Sequence, residues 1–172
     1  MPGIVPDERV TEGVAAIVER LSGRVEEIAG AMIARYRDEI AEYSTLDDDV
    51  LEDDVKRISV LNMRALLANL HRGEVLAPDE LSESRAGAAR RVHHGISLES
   101  LLHAYRLWGQ SVWEAILETA RVDSPEEREA ALMIAGRVIA HIDHVSHTAA
   151  QAYLDEAQSL LSEREVVRRD LL

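Results

Sequence analysis

Histidine is the residue type in this sequence with the most obvious capacity for chemistry, and it occurs seven times among 172 residues. His141, His144 and His147 are spaced by three, so successive imidazoles would lie about 60° apart around a helix and two neighbours could share a metal ion. A tight site needs three or four converging ligands with supporting hydrogen bonds, and the sequence has no HExxH motif. We therefore expect that these histidines bind no metal.

His93 and His94 are the second pair of histidine candidates. They close a predicted helix just before Gly95, where a protonated imidazole would meet the negative end of the helix dipole favourably. The alternative is that one of them ligates haem. Both interpretations stay open at the level of the sequence.

Residue patterns that indicate catalysis are lacking. The chain has no cysteine, which excludes thiolate zinc sites, iron–sulfur clusters and a cysteine nucleophile. Its acidic residues are spaced as on solvated helix faces, as in the i,i+4 pair of Glu52 and Lys56. No GxSxG, P-loop, EF-hand or dinucleotide motif occurs. We predict a protein that is not an enzyme.

Tyr105 and Trp108 are aromatic side chains that could line a ligand pocket. They lie three residues apart on the most apolar predicted helix, whereas Trp113 falls on a different face. Core packing is the simpler interpretation, and the floor of a pocket is the functional one. Together with Arg91 and His94, which precede them, they form the candidate ligand-binding set.

The composition restricts partners and location. A formal net charge of −13 repels phosphate backbones, so the chain is not expected to bind DNA itself. The start of the sequence has no signal-peptide pattern, and charged residues interrupt each apolar segment before it reaches membrane-spanning length. We expect a soluble cytoplasmic protein that makes no membrane contact.

Helical elements must position all of these residues. Apolar residues recur at helical spacing, glycines and prolines fall between the periodic segments, and no alternating pattern typical of strands occurs. The pattern predicts an all-α fold, a single bundle of six helices with a long last helix. The first five predicted helices cover residues 7–21, 24–43, 45–71, 79–94 and 98–122. The sixth begins at residue 125 and is expected to be more than forty residues long.

Capping residues set several of these boundaries. Thr45, Ser97 and Ser124 precede periodic segments as N-caps, and Gly95 follows one as a C-terminal glycine. The first half of the last helix is expected to pack in the core. Its predicted core residues are Leu132, Ile134, Val138, Ile139, Ile142 and Val145.

The end of the last helix carries a thinner apolar seam, typical of a helix that packs on a partner helix. We divide the chain into a helical regulatory domain, 1–153, and an emerging helix, 154–172. This helix is expected to serve signalling or dimerisation and to lead to a downstream region that is missing here. A homodimer is expected. Arg164 would interrupt the apolar seam with a polar group, which limits the stability of a coiled coil and so permits the helix pair to switch between states. The seam residues are Tyr153, Ala157, Leu160, Arg164, Val167 and Leu171.

The stretch from Arg90 to Arg106 reads RRVHHGISLESLLHAYR and resembles the N-terminal domain of actinobacterial PucR/CdaR-type transcription regulators. The same domain type is named after RsbR-type stressosome co-antagonists. The resemblance covers nearly the whole chain, because that family also ends in a long helix with a tyrosine and a glutamate near its exit, here Tyr153 and Glu156. The motif residues are Arg90, Arg91, Gly95, Leu98, Leu101, Leu102, Ala104, Tyr105 and Arg106.

This resemblance implies a globin-like helical domain that usually lacks haem and precedes a GGDEF-like region and a helix-turn-helix. DNA would then be contacted only through a missing downstream domain. In related haem sensors a histidine lies one helical turn before the equivalent glycine, where this chain has Arg91, and the phenylalanines that commonly wedge haem are absent. No cofactor is expected, and haem bound by His93 or His94 is the alternative.

The sequence thus predicts a sensory or regulatory N-terminal domain of a PucR/CdaR-like transcription regulator. It would detect a small ligand or a partner protein and pass the signal through its C-terminal helix. The first alternative is a haem-based gas or redox sensor. The second is a dimerisation module without a ligand, which a core without a pocket would indicate.

Overall fold

The computed structural model describes residues 8–72 and 78–170, and within these ranges the chain is helical without strands, as the all-α prediction requires. A π-helical segment, Leu51–Lys56, joins α4 to α5, and a 3-10 turn, Pro78–Leu81, precedes α6. The α-helices of the described ranges are α1 Glu8–Ser22, α2 Val25–Glu39, α3 Ala41–Ser44, α4 Asp48–Val50, α5 Arg57–Arg72, α6 Ser82–His93, α7 Leu98–Thr119 and α8 Pro125–Asp170.

Helix α8 is the element on which the others assemble. It spans 46 residues, which confirms the prediction of a last helix longer than forty residues. Helices α1, α6 and α7 pack along it, α2 packs on α7 and α5, and α5 packs on α1 and also contacts α8. None of the helices in the described ranges, α8 included, is both long and apolar enough to cross a membrane.

Close approach of α7 and α8 depends on a glycine. A Cβ atom at Gly109 would lie 2.1 Å from Cδ1 of Ile142, so no larger residue fits without displacing that side chain. At this point the backbone of α7 therefore packs directly against a side chain of α8. This contact brings the middle of α7, which carries Trp108, against the middle of α8.

Two of the three predicted N-caps are confirmed. The Ser97 hydroxyl accepts a hydrogen bond from the Ser100 amide at 3.2 Å, and the Ser124 hydroxyl accepts one from the Glu127 amide, also at 3.2 Å. Thr45 is not an N-cap, because its hydroxyl donates backwards to a carbonyl of α3 and α4 begins after Asp47.

The second predicted helix, 24–43, is not continuous. Ile40 has extended backbone, with φ −120° and ψ 106°, and separates α2 from α3. Ile40 and Tyr43 are both buried at this corner. Tertiary packing therefore outweighs the local helical pattern, which alone favours one uninterrupted helix.

Leu132 and Ile139 were expected in the core, and this is wrong: they are 74% and 68% exposed. Both lie on the side of α8 that faces away from Ile134 and Val138, which are buried. The apolar pattern of α8 is thus wider than the surface that α1, α6 and α7 cover. Residues spaced by seven on the uncovered side remain in solvent.

Candidate functional site

A buried arginine forms the centre of the site. Arg91 lies on α6 and is only 2% exposed, and its Nη1 donates to Oδ2 of Asp54 at 2.8 Å. Arg90 binds the same carboxylate with two nitrogens, Nε to Oδ2 at 3.0 Å and Nη2 to Oδ1. Asp54 belongs to the π-helical segment, so the cluster ties that segment to α6. π-Helical turns are frequent at functional sites.

The charge on Asp54 is what permits Arg91 to be buried. Burial raises the pKa of the Asp54 carboxyl, but the hydrogen bonds and charges of Arg90 and Arg91 outweigh it and hold the pKa below its ordinary value of 3.8. The carboxylate is therefore ionised at neutral pH. A buried guanidinium without such a partner is strongly destabilising.

Helix α6 ends directly beside this cluster. Gly95 has φ +72°, a left-handed conformation that favours glycine, and the Ile96 amide donates to the Arg91 carbonyl at 3.0 Å while the Gly95 amide donates to the Val92 carbonyl. Nη1 of Arg91 also lies 2.8 Å from Nδ1 of His94. Burial first, and then the charge of Arg91, lowers the pKa of His94, so its neutral ring accepts this hydrogen bond.

A small cavity of about 40 Å³ opens beside Arg91, between the π-helical segment and helices α2, α5, α6 and α7. Three phenols line it, those of Tyr36, Tyr43 and Tyr105. Burial is the largest cause that raises the pKa of each phenol, that of Tyr43 to about 12. All three are protonated at neutral pH. The other polar residues of the lining are Ser59, Asn62, Arg91 and Trp108.

Trp108 connects this cavity to α8. Its indole N–H donates to the Ser59 carbonyl at 3.3 Å, and its ring stacks on His141, with ring centroids 5.3 Å apart and an interplanar angle of 21°. His141 is 6% exposed, and its Nε2 has no hydrogen-bond partner within the described ranges. Burial, more than the nearby His144, lowers the pKa of His141 to about 4. A neutral imidazole on α8 thus packs against the cavity wall.

The predicted ligand set lies together. Arg91, Tyr105 and Trp108 all line the cavity, and His94 contacts Arg91. Two further motif residues on α7, Leu101 and Ala104, are buried and also line the cavity, whereas Leu98 and Leu102 are half-buried outside it. Gly95 ends α6, and Arg106 is exposed outside the cavity.

The sequence interpretation missed Asp54 and most of the cavity lining, including Tyr36, Tyr43 and Asn62. A signal for Asp54 did exist, because two adjacent arginines on an alanine-rich helix need a carboxylate partner if one of them is buried. The chain offers 32 acidic residues, and no local spacing distinguishes the one that approaches from another helix.

Among known protein families, residues 26–168 match the RsbT co-antagonist protein rsbRD N-terminal domain. The matched range contains every residue of the cluster and the cavity, together with most of α8. The chain belongs to this family. The RsbRD N-terminal domain is a regulatory or sensory domain. Comparisons with curated proteins and with solved structures gave no match.

Haem does not fit between His93 or His94 and this cavity as the RsbRD domain is packed. The side chain of His93 is 51% exposed and its Nε2 lies 2.6 Å from a carboxylate oxygen of Glu156 on α8, while His94 is bonded to Arg91. The cavity of about 40 Å³ is also far smaller than the roughly 300 Å³ or more of pockets that enclose drug-sized ligands. A porphyrin would require the tyrosines of the lining to move out of the core.

The three histidines of α8 do not converge. His141 is buried against Trp108, whereas His144 and His147 are exposed. In the part of the chain that the structure describes, no group of three or more His, Cys, Asp or Glu side chains is placed to hold a metal ion.

Helix α8 leaves the body of the domain after Glu156. The Tyr153 hydroxyl donates to the Ile96 carbonyl at 2.9 Å, and Glu156 contacts His93, so the end of α6 holds α8 at this level. Of the predicted seam, Ala157 and Leu160 are half-buried, Arg164 and Val167 are exposed, and Leu171 lies outside the described residues. The neighbouring apolar residues Leu161 and Val166 are 62% and 56% exposed.

Proposed function

We propose that this RsbRD domain is a non-enzymatic sensor that regulates a larger protein, in the manner of a PucR/CdaR-like transcription regulator. The observation that carries the proposal is the path of α8. Through His141 the helix packs on Trp108, the wall of the cavity, and the same helix continues past Glu156 with exposed apolar side chains. One continuous element thus joins the candidate input to a candidate output.

The mechanism we propose is a shift between two packing arrangements of the core. A small ligand or a partner protein that binds one arrangement more tightly increases its population. Any rearrangement around Arg91 and Trp108 changes the surface on which His141 packs. Because a helix moves as a rigid unit, a translation or rotation there would reach residue 170.

A second copy of the chain is the partner we propose for the end of α8. Residues 161–169 are all exposed, and an isolated helix end of this length is only marginally stable in water. Packing of two such ends would cover Leu160 and Val167. DNA contact, in this proposal, belongs to a downstream region, because the net charge of −13 opposes binding by this chain.

Light scattering on the 172-residue chain tests the dimer. We expect twice the monomer mass of 19.1 kDa, and we expect Leu160→Asp to reduce the measured mass to that of a monomer. Gln158→Asp adds the same charge two residues away, on an exposed position outside the seam, and should leave the dimer intact. A monomeric wild-type chain, or a dimer that Leu160→Asp does not affect, would contradict the proposal.

A further inference from the structure

The charges around Arg91 do not balance. Asp54 is shared by Arg90 and Arg91, and an Nη2 of Arg57 lies 3.6 Å from its Oδ1. Arg57 also pairs with Glu83, so three guanidinium groups meet two carboxylates. Arg90 and Arg57 are partly exposed and can be screened by water, but the side chain of Arg91 is 3% exposed. The excess positive charge therefore acts mainly at the buried Arg91 guanidinium, beside the cavity.

The cavity next to Arg91 is rich in hydrogen-bond donors. The Tyr43 phenol lies near the Arg91 guanidinium and, being protonated, can donate to a third group. Asn62 receives a hydrogen bond from Ser84 on its Oδ1, and its side-chain amide N–H is a further donor group of the lining. The described lining residues include no carboxylate. A donor-rich wall without acidic groups suits an anion.

The size of the cavity limits which anion fits. A buried water needs roughly 10–15 Å³ of such space, so a cavity of about 40 Å³ corresponds to about three water molecules. Formate and nitrite have three non-hydrogen atoms, and nitrate has four. A nucleotide, a sugar phosphate or an aromatic acid is too large.

We propose that the cavity beside Arg91 binds a small monovalent anion of the formate, nitrite or nitrate class, with Tyr43 and Asn62 as further donors. This deepens the proposed sensor function, because it names the chemical class of the input. Binding neutralises the excess charge of the cluster and draws together the π-helical segment, α6 and α7. Trp108 lines the same cavity, so His141 on α8 is one contact away from the anion.

Thermal unfolding of the 172-residue chain in sodium formate tests this proposal. The background salt is sodium gluconate, whose anion is too large for the cavity, and gluconate is replaced by formate at constant sodium concentration. We expect a saturable rise in Tm, about 3–10 °C at ten to a hundred times the Kd. Tyr43→Phe removes the phenol donor, and Asn62→Leu removes the amide donor together with the acceptor of the Ser84 hydroxyl; both keep the side-chain volume nearly constant, and each should weaken formate binding about tenfold or more.

Tyr153→Phe is the matched control. It also removes one phenol hydroxyl, but this hydroxyl is bonded to Ile96 outside the cavity, so the Kd for formate should not change. Anomalous diffraction from a bromide-soaked crystal gives the position independently, and a peak beside Arg91 is expected. Neither readout depends on Arg91 substitutions, which could prevent folding.

Two results would overturn the anion proposal. One is the absence of any saturable Tm change with formate or nitrate relative to gluconate. The other is a change of equal size in wild type, Tyr43→Phe and Asn62→Leu. If the dimer remains sensitive to Leu160→Asp in either case, the proposed sensor function survives without this ligand. If a monomeric chain binds formate, the anion proposal is supported, and the proposed dimer at the end of α8 is contradicted.

Discussion

The two parts of α8 form the same helix but owe their stability to different sources. In residues 125–152, one side of the helix is buried against α1, α6 and α7, with Ile134 fully buried and Val145 nearly so. In residues 157–169, no residue is buried, and Leu161 and Val166 are mostly in solvent. The first part is held by the core of its own chain. The second part is apolar enough to need a partner and has none within the described residues.

This difference shows what an apolar pattern does and does not determine. Leu132 and Leu161 are similarly exposed, although one lies in the packed part of α8 and the other in the projecting part. A helical spacing of leucines predicts the helix in both places. Which side of the helix is covered depends on where the other helices end, and this information is not local.

The largest expected effect is a difference in how much an introduced aspartate destabilises the fold in each part of α8. Ile134→Asp places a charge where the native side chain is 0% exposed and should destabilise the fold by about 5 kcal/mol or more, because the carboxylate has no partner there. Leu161→Asp makes the same kind of change in the projecting part and should alter the stability of the monomer by less than about 0.5 kcal/mol. Urea unfolding followed by circular dichroism measures both.

The interpretation of α8 fails if these two substitutions have similar effects on a monomeric background, for which each is combined with Leu160→Asp. That combination removes the contribution of the proposed dimer. The remaining difference then reports only on packing within the chain.

The next effect is a dependence of the free energy of unfolding on pH. Within α8 it comes from the buried His141, in residues 125–152. His141 has its pKa lowered to about 4 by burial, against 6.5 for the free side chain, so the unfolded chain takes up a proton before the folded chain does as the pH falls from 6.5 to 4. The contribution is fully present above pH 6.5 and decreases as the pH falls towards 4. It amounts to about 2 kcal/mol of lost stability at pH 5.

His141→Leu should remove this part of the acid sensitivity, and the orphaned Nε2 with it. The matched variant His147→Leu changes an exposed histidine of the same helix and should keep the wild-type pH dependence. Denaturant unfolding at pH 7 and pH 5 compares the three proteins. Equal slopes for His141→Leu and wild type would mean that the imidazole is solvated or already charged.

The smallest effect lies at the junction of the two parts. Tyr153→Phe removes the hydrogen bond to the Ile96 carbonyl and should destabilise the domain by about 1 kcal/mol. Amide hydrogen exchange should accelerate first around residues 153–157. Unchanged exchange there would show that the contact between His93 and Glu156 is sufficient to hold the helix.

Much of the helical framework was predictable because its signals are local. Ser97, Ser124 and Gly95 mark ends of helices through side chains and backbone conformations that involve only neighbouring residues. The break at Ile40 was missed, because it serves packing between helices. The π-helical segment was also missed, since one extra residue in a turn leaves the apolar pattern almost unchanged.

The candidate site was predictable only on the helices that carry the motif. Arg91, Tyr105 and Trp108 were identified from α6 and α7, and they do line one cavity. Asp54 and Tyr43 approach from elsewhere in the chain, and their roles depend on distances of a few ångströms between helices. The ion cluster therefore had to be seen in three dimensions.

The most direct test of the account is the distance between the projecting ends of two copies. The chain has no cysteine, so a spin label on Val166→Cys gives a single site per copy for pulsed electron resonance. We predict a defined distance between the two labels, and a shift of about 1–2 Å or a change in populations when Trp108→Phe alters the stack on His141. Trp113→Phe, on the same helix outside the cavity, should leave the distribution unchanged. The absence of a dipolar signal, or identical distributions in wild type and Trp108→Phe, would contradict the claim that α8 transmits the state of the core.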